Sequence, residues 1–179
     1  AFAFRTGLFN IGVPGQMLVG GFMAVYLGVT LDLPRMIHLI VVILGAMIAG
    51  GIWAIVPGIL KAKFKIHEVV TSIMMNYIAL WSVQYAVKTL IPGKYSTESA
   101  TIAETASLKM AAMTEFFSGS AVNLGLIFAI IACFIIWFIL EKTTFGYELK
   151  AVGYNHHAAE YAGMKATRNV ILLMIIAGI

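Results

Sequence analysis

Long uncharged runs, separated by short polar stretches that carry nearly all the charge, set the pattern of this chain. Such runs extend from Thr6 to Leu31, Met36 to Leu60, Val69 to Val87 and Phe116 to Leu140. Each is near or above the roughly 20 residues a bilayer-spanning helix needs. They predict four spans, and NVILLMIIAGI after Arg168 predicts a fifth that stops at Ile179 before it could cross. In the first run, FNIGVPGQMLVGG (9 to 21) places Asn, Pro, Gln and several glycines among apolar residues. Pro14 between Gly12 and Gly15 predicts a break in that helix. The expected fold class is therefore all-α, a polytopic transmembrane bundle with a broken first helix, four spans and a truncated fifth.

Composition strengthens this reading. The 179 residues are 61% hydrophobic and 11% charged, against about 25% charged in soluble domains. Mean hydropathy is +0.94. There is no initiator Met and no ordered signal peptide, so the chain is expected to be an internal piece of a longer protein, one stretch of a single transmembrane domain over 1–179. The lone Cys133 offers neither a disulfide framework nor a metal pair.

The net charge of +4 belongs to orientation rather than to nucleic acid, because the cations sit at the ends of apolar runs without aromatic partners. If each run crosses once, Arg5, Lys61, Lys63, Lys65, Lys142, Lys150, Lys165 and Arg168 share one side, and Arg35, Lys88, Lys94 and Lys109 share the other. The first set is then cytoplasmic. This places the connections 61–68 and 141–169 inside and the segment 91–115 outside. Gly20, Ala24 and Gly28, and again Ala46, Gly50 and Ala54, recur every fourth residue. Such small-residue ladders let membrane helices pack closely.

Candidate chemistry is sparse. No phosphate-binding loop is present, His67-Glu68 does not continue as H-E-x-x-H, and His156 and His157 are adjacent rather than on one helix face. No catalytic residue, metal site or cofactor is expected. Charged residues are essentially absent from the span interiors, so a pocket there should use neutral polar side chains. Asn10, Gln16, Thr71, Ser72, Asn76, Tyr77, Ser82 and Gln84 are the candidates. Asn and Gln offer both a donor and an acceptor to a neutral polar solute. On the inner side, a helix starting from Asn155 as N-cap places Ala158, Tyr161 and Ala162 on one face, a small knob suited to a partner's groove.

Three stretches together carry a family resemblance. FNIGVPGQMLVGG, then GILKAKFKIHEVVTSIMMNYIA (58 to 79), then TTFGYELKAVGYNHHAAEYAGM (143 to 164) resemble, in order and at similar spacing, the permease subunits of ABC importers for simple sugars and nucleosides. The nearest likeness is to nucleoside permeases that work with a basic-membrane-protein-type lipoprotein. The resemblance implies a multi-pass permease of the bacterial inner membrane, itself not an enzyme, paired with a second permease subunit. A cytoplasmic ABC ATPase and an extracytoplasmic solute-binding protein are the other implied partners.

It further implies that Asn10, Gly12, Gly15 and Gln16 lie in a broken helix beside the translocation path, which the polar residues Asn76 and Tyr77 would share. In the cytoplasmic coupling segment, Gly153, Asn155, Ala158, Ala159, Tyr161, Ala162 and Gly163 would contact the ATPase. Two positions depart from the family's habit: Pro14 stands where an acid is frequent, and His67 where Asn is. A branched-chain amino acid permease is the nearest rival reading, weakened because no Lys or Arg lies at depth. A non-transporting membrane scaffold is the other.

Overall fold

Glycine-rich and apolar sequence produces helices that touch through their backbones. The computed structural model describes residues 9–95, 98–108 and 123–179. Among them run α1 (Val13–Thr30), α2 (Arg35–Phe64), α3 (Glu68–Leu90), a 3-10 turn (Glu104–Ala106), α4 (Gly125–Lys142), α5 (Thr144–Tyr154), α6 (His156–Tyr161) and α7 (Ala166–Gly178). Helices thus occupy all five apolar windows. α1, α2 and α4 are long and apolar enough to cross a membrane, whereas the 23-residue α3 mixes polar side chains among its apolar ones. Arg5, and within the 91–115 segment residues 96–97 and 109–115 with Lys109, lie outside the described residues.

The break expected within the first helix sits instead at its start. Pro14 falls in the first turn of α1, where its missing N–H would have no helical partner anyway and its fixed φ favours the helix. Residues 9–12 are non-helical, so the irregular backbone precedes the helix rather than interrupting it.

The ladders act as predicted. A Cβ at Gly20 would lie 3.1 Å from the Ala46 carbonyl oxygen, which fixes a close α1–α2 crossing. On the other side of α2, Ala49, Gly50, Gly51, Ala54, Pro57 and Gly58 are buried. Against this side-chain-poor stripe α7 packs, with the Gly178 backbone against Gly50 and Met174 against Gly58. In Gly50→Val the new side chain would collide with the Gly178 carbonyl. We expect it to cost about 1–3 kcal/mol, the usual scale of overpacking, read as a lower melting temperature of the purified protein. An unchanged melt would show that α2 and α7 do not touch there.

Where α1 ends and α2 begins, buried His38 holds three elements together. Its Nδ1 lies 2.8 Å from Thr105 Oγ1 and its Nε2 3.3 Å from the Leu27 carbonyl, while the Ala103 N–H donates to the Gly28 carbonyl. The 98–108 stretch therefore folds over the ends of α1 and α2, on the side opposite the 61–68 connection. At that opposite end, α2 stops where Lys65 adopts a left-handed conformation, with Lys61 and Lys63 in the last turn favourably placed against the helix dipole. A second core gathers there: Leu140, Leu149, Val170, Leu173 and Met174 join the ends of α4, α5 and α7.

Candidate functional site

The non-helical segment 9–12 runs along one stripe of α3 made by Glu68, Ser72 and Asn76, four residues apart and so on one helix face. At the first end of that stripe, ahead of the apolar window, the Glu68 carboxylate meets Lys61 Nζ at 2.6 Å and accepts the Phe9 N–H. Burial pushes the Glu68 carboxyl upward. The Lys61 ammonium and the N–H donors outweigh this and hold it below the usual carboxylate range.

Two turns along, Asn76 grips the start of α1. Its Oδ1 accepts the Gly15 N–H at 2.9 Å, and its Nδ2 donates to the Ile11 carbonyl at 2.9 Å. The N-cap residue Gly12 has no side chain to satisfy the first turn, so a neighbouring helix supplies the cap that a Ser or Asp would normally provide. Gly15 permits this: a Cβ there would stand 2.7 Å from Asn76 Oδ1 and 3.0 Å from its Cα. Asn10 completes the turn by accepting the Gly12 N–H on Oδ1 at 2.9 Å. At ~1.5 Å per residue, Asn76 lies roughly 12 Å along α3 from Glu68.

Around Gly12 the polar groups are unsatisfied. Its Cβ position would lie 3.0 Å from Asn10 Oδ1, 3.3 Å from Gln16 Nε2 and 3.5 Å from Ser72 Oγ. Gln16 is 3% exposed and Ser72 fully buried. Both amide atoms of Gln16, the Ser72 hydroxyl and the Asn10 Nδ2 have no hydrogen-bond partner among the described residues. An unpaired buried polar atom costs about 1–3 kcal/mol, so this cluster is suited to a ligand that brings its own hydrogen bonds.

Of the expected pathway residues, Asn10, Gly12, Gly15, Gln16 and Asn76 come together here. Asn76 has one donor and one acceptor committed to backbone, which makes it the clamp of the site. Tyr77 is 61% exposed and stands on another face of α3, and Ser82 and Gln84 are exposed further along the helix. Ser72 belongs to the cluster, and its signal was its place four residues before Asn76. Glu68 was missed as an anchor because sequence spacing does not show that Phe9 reaches it.

The helix after α5 forms as predicted from Asn155, whose Oδ1 accepts the Ala158 N–H at 3.1 Å. It ends at Gly163, φ +82°. There the Gly163 N–H reaches the Glu160 carbonyl and the Met164 N–H reaches that of Ala159, a Schellman ending that favours glycine. Ala158, Tyr161, Ala162 and Gly163 are exposed, Tyr161 at 93%. Ala159 is 3% exposed against Val152 and Met164, so it faces inward and not toward a partner. Tyr154, at 92% exposure, shares the outer surface and escaped the helix-face argument because it precedes the Asn155 cap. Two polar ties bind this segment to the spans: Lys150 to Glu141 of α4 at 2.8 Å, and Asn169 of α7 to Glu148 at 2.7 Å.

A family model described as branched-chain amino acid transport system / permease component matches residues 1–179. Over 178 residues the chain is 47% identical to the guanosine ABC transporter permease protein NupP of Bacillus subtilis, covering 99% of this chain and 51% of that protein. It is 38% identical to the nucleoside ABC transporter permease protein NupB of Lactococcus lactis, covering 99% and 50%. With the glucose ABC transporter permease protein TsgB13 of Haloferax volcanii it shares 30% identity, covering 97% and 48%. The chain spans about half the length of these curated relatives. No solved structure matches it.

Proposed function

Because the chain belongs to the family of branched-chain amino acid transport system permease components, as a helical multi-pass membrane protein, we propose that it is part of the permease of an ABC importer moving a nucleoside or simple sugar inward. The observation that carries the substrate half is the cluster around Gly12, buried and built from uncharged amides and a hydroxyl. It matches the hydroxyls and ring substituents of a neutral solute. The relatives named for guanosine, nucleosides and glucose support the same choice.

An amino acid would bring a carboxylate, and a helix N-terminus is the natural place for one. At the start of α1 few donors are left for one: Pro14 has no N–H, the Gly15 N–H is held by Asn76 and the Gly12 N–H by Asn10. The branched-chain rival is thereby disfavoured.

In this reading the protein sits in the bacterial inner membrane with a second permease subunit. A solute-binding protein delivers cargo from outside, and a cytoplasmic ABC ATPase drives alternating access. ATP is hydrolysed on the ATPase, whose movement reaches the spans through α6. The ties from Lys150 to Glu141 and from Glu148 to Asn169 supply a connection from that segment to α4 and α7.

Ala158→Asp tests the coupling. The residue is exposed, so the helix should form, but a carboxylate would be driven into a closely packed contact. We expect uptake and transport-stimulated ATP hydrolysis by the full complex to fall about tenfold, with the melting temperature unchanged. Survival of both activities would remove α6 from the coupling path.

A further inference from the structure

Where α6 gives way to α7, an open cavity of about 530 Å³ lies on the surface, within the ~300–1,000 Å³ of small-molecule sites. Lys165, Arg168 and Glu160 form its charged part, and Met164, Ile171 and Leu172 its apolar part. Arg168 shares a face of α7 with Ile171 and Leu172, three and four residues on. Among the described residues neither Lys165 nor Arg168 makes a salt bridge.

Packing fixes the depth of this cavity. α7 runs antiparallel to α2, with Gly178 against Gly50 and both Ile171 and Met174 against Gly58. Arg168 precedes Ile171 by three residues, so at ~1.5 Å per residue it lies roughly 4.5 Å beyond Gly58. That is level with the last turn of α2, which carries Lys61 and Lys63. Since α2 is long and apolar enough to cross a membrane, the cavity stands where hydrocarbon meets water. Its cations lie toward the water, and Ile171 and Leu172 lie toward the hydrocarbon.

We propose that this cavity binds the headgroup of an anionic phospholipid, its phosphate held by Lys165 and Arg168 and its upper acyl chain laid against Met164, Ile171 and Leu172. The two cations and Glu160 leave one net positive charge, which a single phosphodiester neutralises. A guanidinium takes two phosphate oxygens at once. The Glu160 carboxylate repels a more highly charged phosphate, but it can accept from the hydroxyls of a glycerol headgroup. A soluble anion would leave the three apolar side chains uncovered, whereas a lipid covers them. Basic pockets between helices at a membrane surface are a recurring seat for such headgroups. The inference needs only the membrane setting and does not depend on which solute is transported.

In native mass spectrometry, the complete permease complex purified in detergent should retain phosphatidylglycerol about tenfold better than phosphatidylcholine or phosphatidylethanolamine, as expected for two cations near a surface. Lys165→Gln combined with Arg168→Gln should remove most of that preference and leave the melting temperature in lipid-free detergent unchanged. Phosphatidylglycerol with a photoreactive group high on one acyl chain should label residues 160–172, and excess glycerol phosphate should not displace it. Equal retention of the three lipids, or an undiminished preference in the double variant, overturns the proposal. If glycerol phosphate displaces the label, the site takes a soluble phosphate and the lipid assignment falls. Should the double variant fail to fold, labelling of the unmodified complex decides: label confined to other segments also overturns it.

Discussion

Asn76→Leu is expected to abolish uptake and to lower the stability of the complex by roughly 2–6 kcal/mol, from two backbone groups at about 1–3 kcal/mol each. The leucine fits the space but neither accepts the Gly15 N–H nor donates to the Ile11 carbonyl. Both groups would then sit unpaired at a depth where little water can reach them. Asn76→Asp separates the two bonds, since a carboxylate still accepts from Gly15 but cannot donate to Ile11. It should fall between wild type and leucine in melting temperature. If Asn76→Leu melts like the wild type and still transports, Asn76 does not clamp α1.

Gln16→Met should do the opposite to stability while also ending transport. The thioether replaces a buried amide that has no protein partner, so the fold loses no hydrogen bond. Its melting temperature should hold or rise, by up to about 1–3 kcal/mol of relieved desolvation. Solute selection should suffer, because a site that reads a hydrogen-bonding edge discriminates strongly only while its own polar group is present. We expect guanosine uptake to drop roughly a hundredfold, on the conservative side of that effect. The paired measurement, melting and uptake on one preparation, separates this outcome from simple misfolding. A stable Gln16→Met that transports normally would take Gln16 off the pathway.

These opposed signs could not be read from residue type. Asn76 and Gln16 are both neutral amides in apolar windows, and the sequence marks both as polar groups in lipid. What separates them is whether another chain segment arrives to satisfy them. That depends on which face of α3 turns toward α1, and the apolar and polar residues of α3 are spread too evenly around the helix to announce it. Tyr77 illustrates the point, since one residue beyond Asn76 it already faces away from the cluster. By contrast, the small-residue ladders and the Asn155 cap were legible because close packing and capping are local properties with fixed spacing. Ala159 was misplaced for a related reason: in so short a helix, one step of about 100° divides the buried face from the exposed one. The break at Pro14 was legible as a break, but its position at the beginning of a helix depends on the cap supplied from α3.

That borrowed cap also bears on how the protein is made. Gly15 and Asn76 lie 61 residues apart, so α1 is synthesised before its capping partner. Until α3 inserts and docks, the Gly15 N–H and Ile11 carbonyl lack their native partner, and the cluster around Gly12 has no Ser72 beside it. The polar site is therefore a late product of assembly: biosynthesis must deliver three helices before the first of them acquires its finished beginning.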